Sequence, residues 1–209
     1  DQRTGGVVQA GIGAGNRFSV VLSGPVIVWQ AGFEPATGPS SPTIEPQASG
    51  IGDLRITPKL SLLEVERGRP VGVALLATTT LPTGSRRSLI GEGTPTVSPM
   101  VVVEAGDGDV SAGDYYPRAA VNVGVRLKAA DTFRDAVFGN EFFYRAAIAA
   151  QPLDGFETGV DLVGSASGGD AAQLPVEILP WVRVGGPKIA TLTAGLGVGL
   201  HPGLGAPDL

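Results

Sequence analysis

Charged or hydroxyl residues alternate strictly with apolar residues in the segment GIGDLRITPKLSLL, residues 50–63. From Asp53 to Leu62 one parity holds Asp, Arg, Thr, Lys and Ser, and the other holds Leu, Ile, Pro, Leu and Leu. Successive side chains of an extended strand point to opposite faces, so a period of two predicts a β-strand with one polar and one apolar face. The pattern returns along the chain, which predicts an all-β, antiparallel fold.

Ten segments show this alternation, and stretches rich in Gly, Pro, Asp and Ser separate them. The predicted strands are 6–13, 17–29, 52–63, 70–81, 94–104, 118–129, 136–150, 156–166, 174–184 and 189–200. No change of composition divides the 209 residues, so we expect a single domain over residues 1–209. Prolines inside four strands lack a backbone donor, so bulges or breaks are expected at Pro25, Pro58, Pro99 and Pro180.

The length and chemistry of these strands favour a transmembrane β-barrel over a soluble sandwich. Most run about 10 to 15 residues, against about 5–6 in globular proteins and about 9–11 for a strand that crosses a bilayer. The apolar faces carry mainly Val, Leu, Ile and Ala, and charged residues make up 17% of the chain, against roughly 25% in an average soluble domain. Outer-membrane lipid is therefore the expected partner.

The links between the predicted strands alternate in length, except that the link AGDGDVSAGDYYP after strand five is longer than the alternation requires. Short links follow strands one, three, seven and nine, whereas long links follow strands two and four. Outer-membrane barrels have short periplasmic turns and longer extracellular loops, and they begin and end on the periplasmic side. We therefore expect the ten strands to belong to a barrel of 12 or more, with at least one further strand at each end.

Full charges on the polar parity of the strands are the candidate lumen-lining residues. They are Asp53, Arg55, Lys59, Arg118, Arg126, Lys128, Glu141, Arg145, Glu157, Asp161, Glu177 and Arg183. Two interpretations remain open: a narrow polar pore whose transverse field steers small polar solutes, charged or zwitterionic, and a salt-bridged interior that conducts little. Aromatic residues at strand ends are candidates for membrane-interface girdles, namely Trp29, Tyr115, Tyr116 and Phe156.

The sequence offers little for catalysis. It contains no Cys, which excludes disulfides and cysteine-bound metals, and its one histidine, His201, has no nucleophile or carboxylate at a diagnostic spacing. We predict a protein that is not an enzyme and has no metal and no cofactor. The formal charge of −5 and the lack of a basic block argue against nucleic acid as a partner.

The phrases GIGDLRITPKLSLL, ALLATTTLPTG and GLGVGLHPGLGAPDL resemble repeated phrases of a family of Gram-negative outer-membrane β-barrel proteins. The resemblance spans about Val7 to Leu209 and implies a porin-like or structural role in the outer membrane of the cell envelope. In fuller chains such barrels are often followed by an OmpA-like, peptidoglycan-binding domain. That domain is absent from this sequence, so the resemblance implies a peptidoglycan partner only through a missing segment.

Two other functions remain open. A soluble secreted all-β binding module would bury its apolar faces against each other and would need no detergent. An outer-membrane enzyme acting on lipids would need a polar catalytic cluster at the outer rim, near His201. The sequence does not determine the solute, the total number of strands or the oligomeric state.

Overall fold

The computed structural model describes residues 2–31, 49–66, 69–85, 90–106, 116–129, 131–133, 136–167, 174–185 and 191–201. All regular elements in these ranges are β-strands. In chain order they are β1 (Gln2–Ala14), β2 (Phe18–Ala31), β3 (Gly50–Ile51), β4 (Leu54–Leu63), β5 (Val71–Leu81), β6 (Thr96–Gly106), β7 (Tyr116–Lys128), β8 (Asp131–Phe133), β9 (Ala136–Phe138), β10 (Glu141–Leu153), β11 (Phe156–Ser167), β12 (Val176–Gly185), β13 (Thr191–Gly195) and β14 (Val198–His201). The described part of the chain holds no helix able to span a membrane.

Twelve of these strands form one antiparallel sheet with the order β1-β2-β4-β5-β6-β7-β10-β11-β12-β13, in which β3 also pairs with β2 and β14 with β12. Neighbours in the sheet follow one another along the chain, apart from the separate β8–β9 hairpin. The predicted all-β, antiparallel architecture is therefore confirmed. Within the described residues β1 and β13 are the two edges and do not pair with each other, so the sheet is open.

Each of the ten predicted strands has a counterpart in this sheet. The seventh begins at Glu141 and not at residue 136, because residues 136–138 form β9 of the separate hairpin. The third is preceded by the short β3, and the tenth is divided into β13 and β14.

Two of the four strand prolines lie opposite these divisions. The Pro180 carbonyl accepts a hydrogen bond from the Leu196 N–H (3.1 Å), but Pro180 has no N–H to return, and β13 ends at Gly195. The Pro25 carbonyl likewise accepts from the Gly52 N–H (2.8 Å), between β3 and β4. Pro58 and Pro99 lie inside continuous strands, but the pairing of β4 with β5 skips Thr57 and Pro58, and the pairing of β6 with β7 skips Ser98 and Pro99. The expected irregularities therefore occur at all four prolines, as a division of the neighbouring strand at Pro25 and Pro180 and as a gap in the pairing at Pro58 and Pro99.

The pairing register places most apolar residues of neighbouring strands on one face of the sheet, here called the apolar face, and the charged residues of the strands on the other, the polar face. In β7 the apolar face is the more exposed one: Val121 and Val123 are 48% and 39% exposed, whereas Ala120, Asn122 and Gly124 between them are less so. The same alternation holds in β6. In β6 and β7 most of the aliphatic side chains thus lie on the more exposed face of the sheet.

The apolar face carries no charge. Where the structure describes the main sheet, none of the positions that alternate with the charged residues is Asp, Glu, Lys or Arg. Buried hydrophobic side chains in the same ranges are limited to Ile27, Ala74 and Ile90. Over the described residues, few apolar side chains are therefore buried inside the fold.

Three aromatic residues lie directly opposite glycines of the neighbouring strand: Phe143 opposite Gly124, Trp181 opposite Gly159, and Tyr144 opposite Gly164. A Cβ at any of the three glycines would lie less than 3.0 Å from the ring. Each ring therefore covers bare backbone of the next strand, an arrangement that compensates for the missing glycine side chain.

Candidate functional site

Eleven of the twelve predicted lumen-lining residues lie on the polar face, because the register from β4 to β12 gives them one parity. The exception is Asp53, which lies between β3 and β4. That the polar face lines a lumen stays a prediction.

Glu157 is the centre of the densest group of charges on the polar face. It lies directly opposite Arg183, whose Nη1 is 2.9 Å from Glu157 Oε2, and Arg118 Nη2 contacts Glu157 Oε1. The Glu157 side chain is 10% exposed, whereas those of Arg118 and Arg183 are 60% and 42% exposed. One shielded carboxylate thus holds two accessible guanidinium groups.

Two further ion pairs extend this group across β7, β10, β11 and β12. Arg126 Nη1 lies 2.8 Å from Glu141 Oε2, and Arg145 Nε lies 3.7 Å from Asp161 Oδ2. Asp161 also accepts a hydrogen bond from the Trp181 indole N–H (3.0 Å). The Arg183 guanidinium lies 5.1 Å from the centroid of the Trp181 ring, within the range of a cation–π contact.

Small residues between these charges leave a depression in the polar face. Arg118 is opposite Ala149, which is opposite Gly159 in the next strand. Because neither of these residues has a long side chain, Arg118 reaches across β10 to Glu157 on β11. A cavity of about 490 Å³ lies here, and its lining includes Glu104, Arg118, Ala120, Ala147, Ala149 and Arg183.

The charges on β4 are different. Within the described part of the chain neither Arg55 nor Lys59 forms an ion pair, and the neighbouring contact is a hydrogen bond of 2.9 Å between the hydroxyls of Thr57 and Thr78. The arginines of β7 and the acids of β10 and β11 are therefore paired directly, whereas the basic residues of β4 stand apart from them.

Asp53 holds a loop. It is 4% exposed, its Oδ1 accepts the N–H of Gly84 (2.9 Å) and its Oδ2 accepts the N–H of Glu92 (2.7 Å). Thr83 Oγ1 adds a bond to the Gly52 carbonyl (3.0 Å) and accepts the Leu54 N–H (2.9 Å). Both ends of the β5–β6 loop are thus fastened to the start of β4. The alternation pattern missed this role, because it carries no information about partners in a distant loop.

Replacing Asp53 with asparagine should lower the free energy of unfolding by about 1.5 kcal/mol, since one of two charge-assisted bonds is lost and a backbone N–H is left unpaired. Urea titration in detergent micelles, followed by tryptophan fluorescence, measures the loss. Asp154→Asn, in the exposed β10–β11 turn, is the matched control and should change little. Equal effects of the two variants would contradict the assigned role.

Of the predicted girdle aromatics, the structure places two in full. Thr4 pairs with Trp29 but Gly5 pairs with Ile27, so Val28 is an extra residue and the bulge turns Trp29 toward the apolar face. Phe156 begins β11 on the parity of the apolar face. Tyr116 begins β7, but its side chain lies outside the described residues, as does Tyr115 entirely.

No protein-family model matches the chain, and no curated protein matches it. In the described ranges no three Asp, Glu or His side chains are grouped as a metal site would need. Glu141, Glu157 and Asp161 on the polar face accept from arginine or indole donors of other strands, an arrangement that holds the strands together.

Proposed function

We propose that this protein is a transmembrane β-barrel of the Gram-negative outer membrane, with a structural role and a narrow polar interior, and that it is not an enzyme. The observation that carries the proposal is that the apolar face of the sheet is exposed, whereas a soluble protein buries its apolar side chains. Exposed aliphatic side chains recur on the apolar face from β1 to β13, and in the described ranges four ion pairs lie on the opposite face.

Lipid is the occupant that suits the apolar face best. Soluble monomers rarely expose contiguous apolar patches larger than about 300–600 Å², yet here the exposed aliphatic residues continue from β1 to β13. An arginine or lysine on a lipid-facing strand costs about 2–4 kcal/mol at the bilayer midplane. Because of this cost, a lipid-facing surface is expected to carry no charged residues, and the described strands carry none on the apolar face.

Strand length and pairing support the same proposal. β7 and β10 span 13 residues each and β11 spans 12, which suffices for the about 9–11 tilted residues that cross a bilayer. In lipid every backbone donor and acceptor must be paired. The proposal therefore includes closure, in which β1 and β13 pair with each other or with further strands.

The interior combines a structural and a conducting element. The ion pairs between β7 and β12 stabilise the wall and occupy lumen volume. Arg55 and Lys59, which form no ion pair with any described residue, and the cavity of about 490 Å³ beside Glu157 leave polar space. We therefore propose that the protein forms a narrow passive pore through which small polar solutes pass slowly.

The first test is heat-modifiability. Protein refolded in detergent should give a β-rich far-ultraviolet circular dichroism spectrum and should migrate differently on a gel before and after boiling, because a closed barrel resists unfolding by the gel detergent until it is heated. It should not fold in plain buffer. A protein that stays soluble and β-rich in buffer would contradict the proposal and support a soluble binding module.

Conductance in planar bilayers then tests the pore. Heat-modifiable protein should give small, stable current steps at neutral pH, with boiled protein as the control. A folded barrel that stays closed would overturn the pore and leave the structural role.

A further inference from the structure

The cavity beside Glu157 combines donors of hydrogen bonds with an apolar floor. Arg118 and Arg183 line it, and the methyl groups of Ala120, Ala147 and Ala149, on β7 and β10, form its floor. The two guanidiniums are held in place by one shared carboxylate, which is covered by them and is 10% exposed. The site is thus prepared before any ligand enters.

Each guanidinium has donors to spare. A guanidinium carries five N–H groups. In the described contacts Arg118 gives one to Glu157, and Arg183 gives one to Glu157 and one to Thr193 Oγ1. Both side chains are at least two-fifths exposed at the cavity. Free donors on two arginines are the usual means by which proteins bind a carboxylate in bidentate fashion.

Glu104 also lines the cavity, and its strand β6 is three strands from β11 of Glu157 in the order β6-β7-β10-β11. Its carboxylate lies over Gly72 of β5, since a Cβ on that glycine would be 2.8 Å from Glu104 Oε1. It has no ion pair within the described residues. A ligand with a second carboxylate at that end would be repelled.

We propose that this cavity is a binding site for small organic monocarboxylates. The ligand carboxylate binds Arg118 and Arg183, its short hydrocarbon chain lies on the alanine floor, and Glu104 discriminates against dicarboxylates. The site needs the folded sheet but no open passage. Binding to folded protein that conducts nothing would therefore leave this inference intact, while the pore of the proposed function would fail.

Saturation-transfer NMR on the detergent-folded protein tests the site with four probes: butyrate, succinate, n-butylammonium and inorganic phosphate. Butyrate should show saturable transfer, and butylammonium and succinate should bind about tenfold more weakly, as expected for loss of a charge-assisted bond or a like-charge contact. Phosphate should compete poorly, because it cannot use the alanine floor. Heat-unfolded protein in the same micelles controls for partition into detergent.

Three variants separate recognition from folding. Arg118→Gln should weaken butyrate about tenfold, whereas Arg126→Gln, which breaks an ion pair outside the cavity, should leave it unchanged. Glu104→Gln should strengthen succinate and not butyrate, and it removes no ion pair in the described part of the chain. Equal binding of butyrate and butylammonium, phosphate as tight as butyrate, or succinate unaffected by Glu104→Gln would overturn the proposal.

Discussion

Replacing Val123 with arginine should lower the free energy of unfolding in phospholipid vesicles by about 3 kcal/mol, the cost of a lipid-facing arginine near the bilayer midplane. Val123 lies in the middle of β7 on the apolar face, between Val101 and Tyr144. It is 39% exposed. In a soluble protein a substitution at such an exposed position changes stability by about 0.5 kcal/mol or less. Urea titration of vesicle-folded protein distinguishes the two values.

Val123→Leu is the matched control for position and size. Lipid tails accommodate either side chain, so its stability should equal that of the unchanged protein. If Val123→Arg costs no more than Val123→Leu in vesicles, the apolar face does not contact lipid and the outer-membrane proposal fails.

Replacing Glu157 with glutamine should lower the free energy of unfolding by about 2 kcal/mol. Removal of one partner from a buried ion pair costs about 3–5 kcal/mol because the other charge is left uncompensated. Here the carboxylate is shielded but both arginines are partly exposed, so solvent screening reduces the loss. Urea titration in detergent micelles, with circular dichroism as the probe, measures it.

Glu141→Gln provides the comparison for that loss. Glu141 pairs with a single arginine, Arg126, and its side chain is 20% exposed, so we expect about 1 kcal/mol or less. Equal losses in the two variants would show that Glu157 is no more important than an ordinary pair on this face.

The strands and their faces were predictable because alternation of this strictness requires only local information. β4 shows the principle: every polar residue from Arg55 to Ser61 falls on the face that the pattern gives it. The limits of the strands were harder, because Pro25 and Pro180 act on the neighbouring strand and not on their own. The bulge at Val28, which reorients Trp29, likewise has no local signal.

The site itself was only half predictable. Its residues were identified by parity, but their partners were not. Arg118 and Glu157 are 39 residues apart and their strands are separated by β10. Their contact depends on Ala149 and Gly159, whose small size allows the arginine to cross an intervening strand. Sequence alternation assigns a face, and it gives no register between strands.

The three pairs of glycine and aromatic residue bear on that missing register. A slip of one residue between two strands would place the charged residues of one strand on the apolar face of the sheet, so the alternation opposes it. A slip of two residues preserves both faces, so alternation alone does not oppose it. It would, however, move the Phe143 ring from Gly124 onto Asn122 or Arg126, and the Trp181 ring from Gly159 onto Glu157 or Asp161. These rings therefore single out one alignment among those that the hydrophobic pattern treats as equivalent.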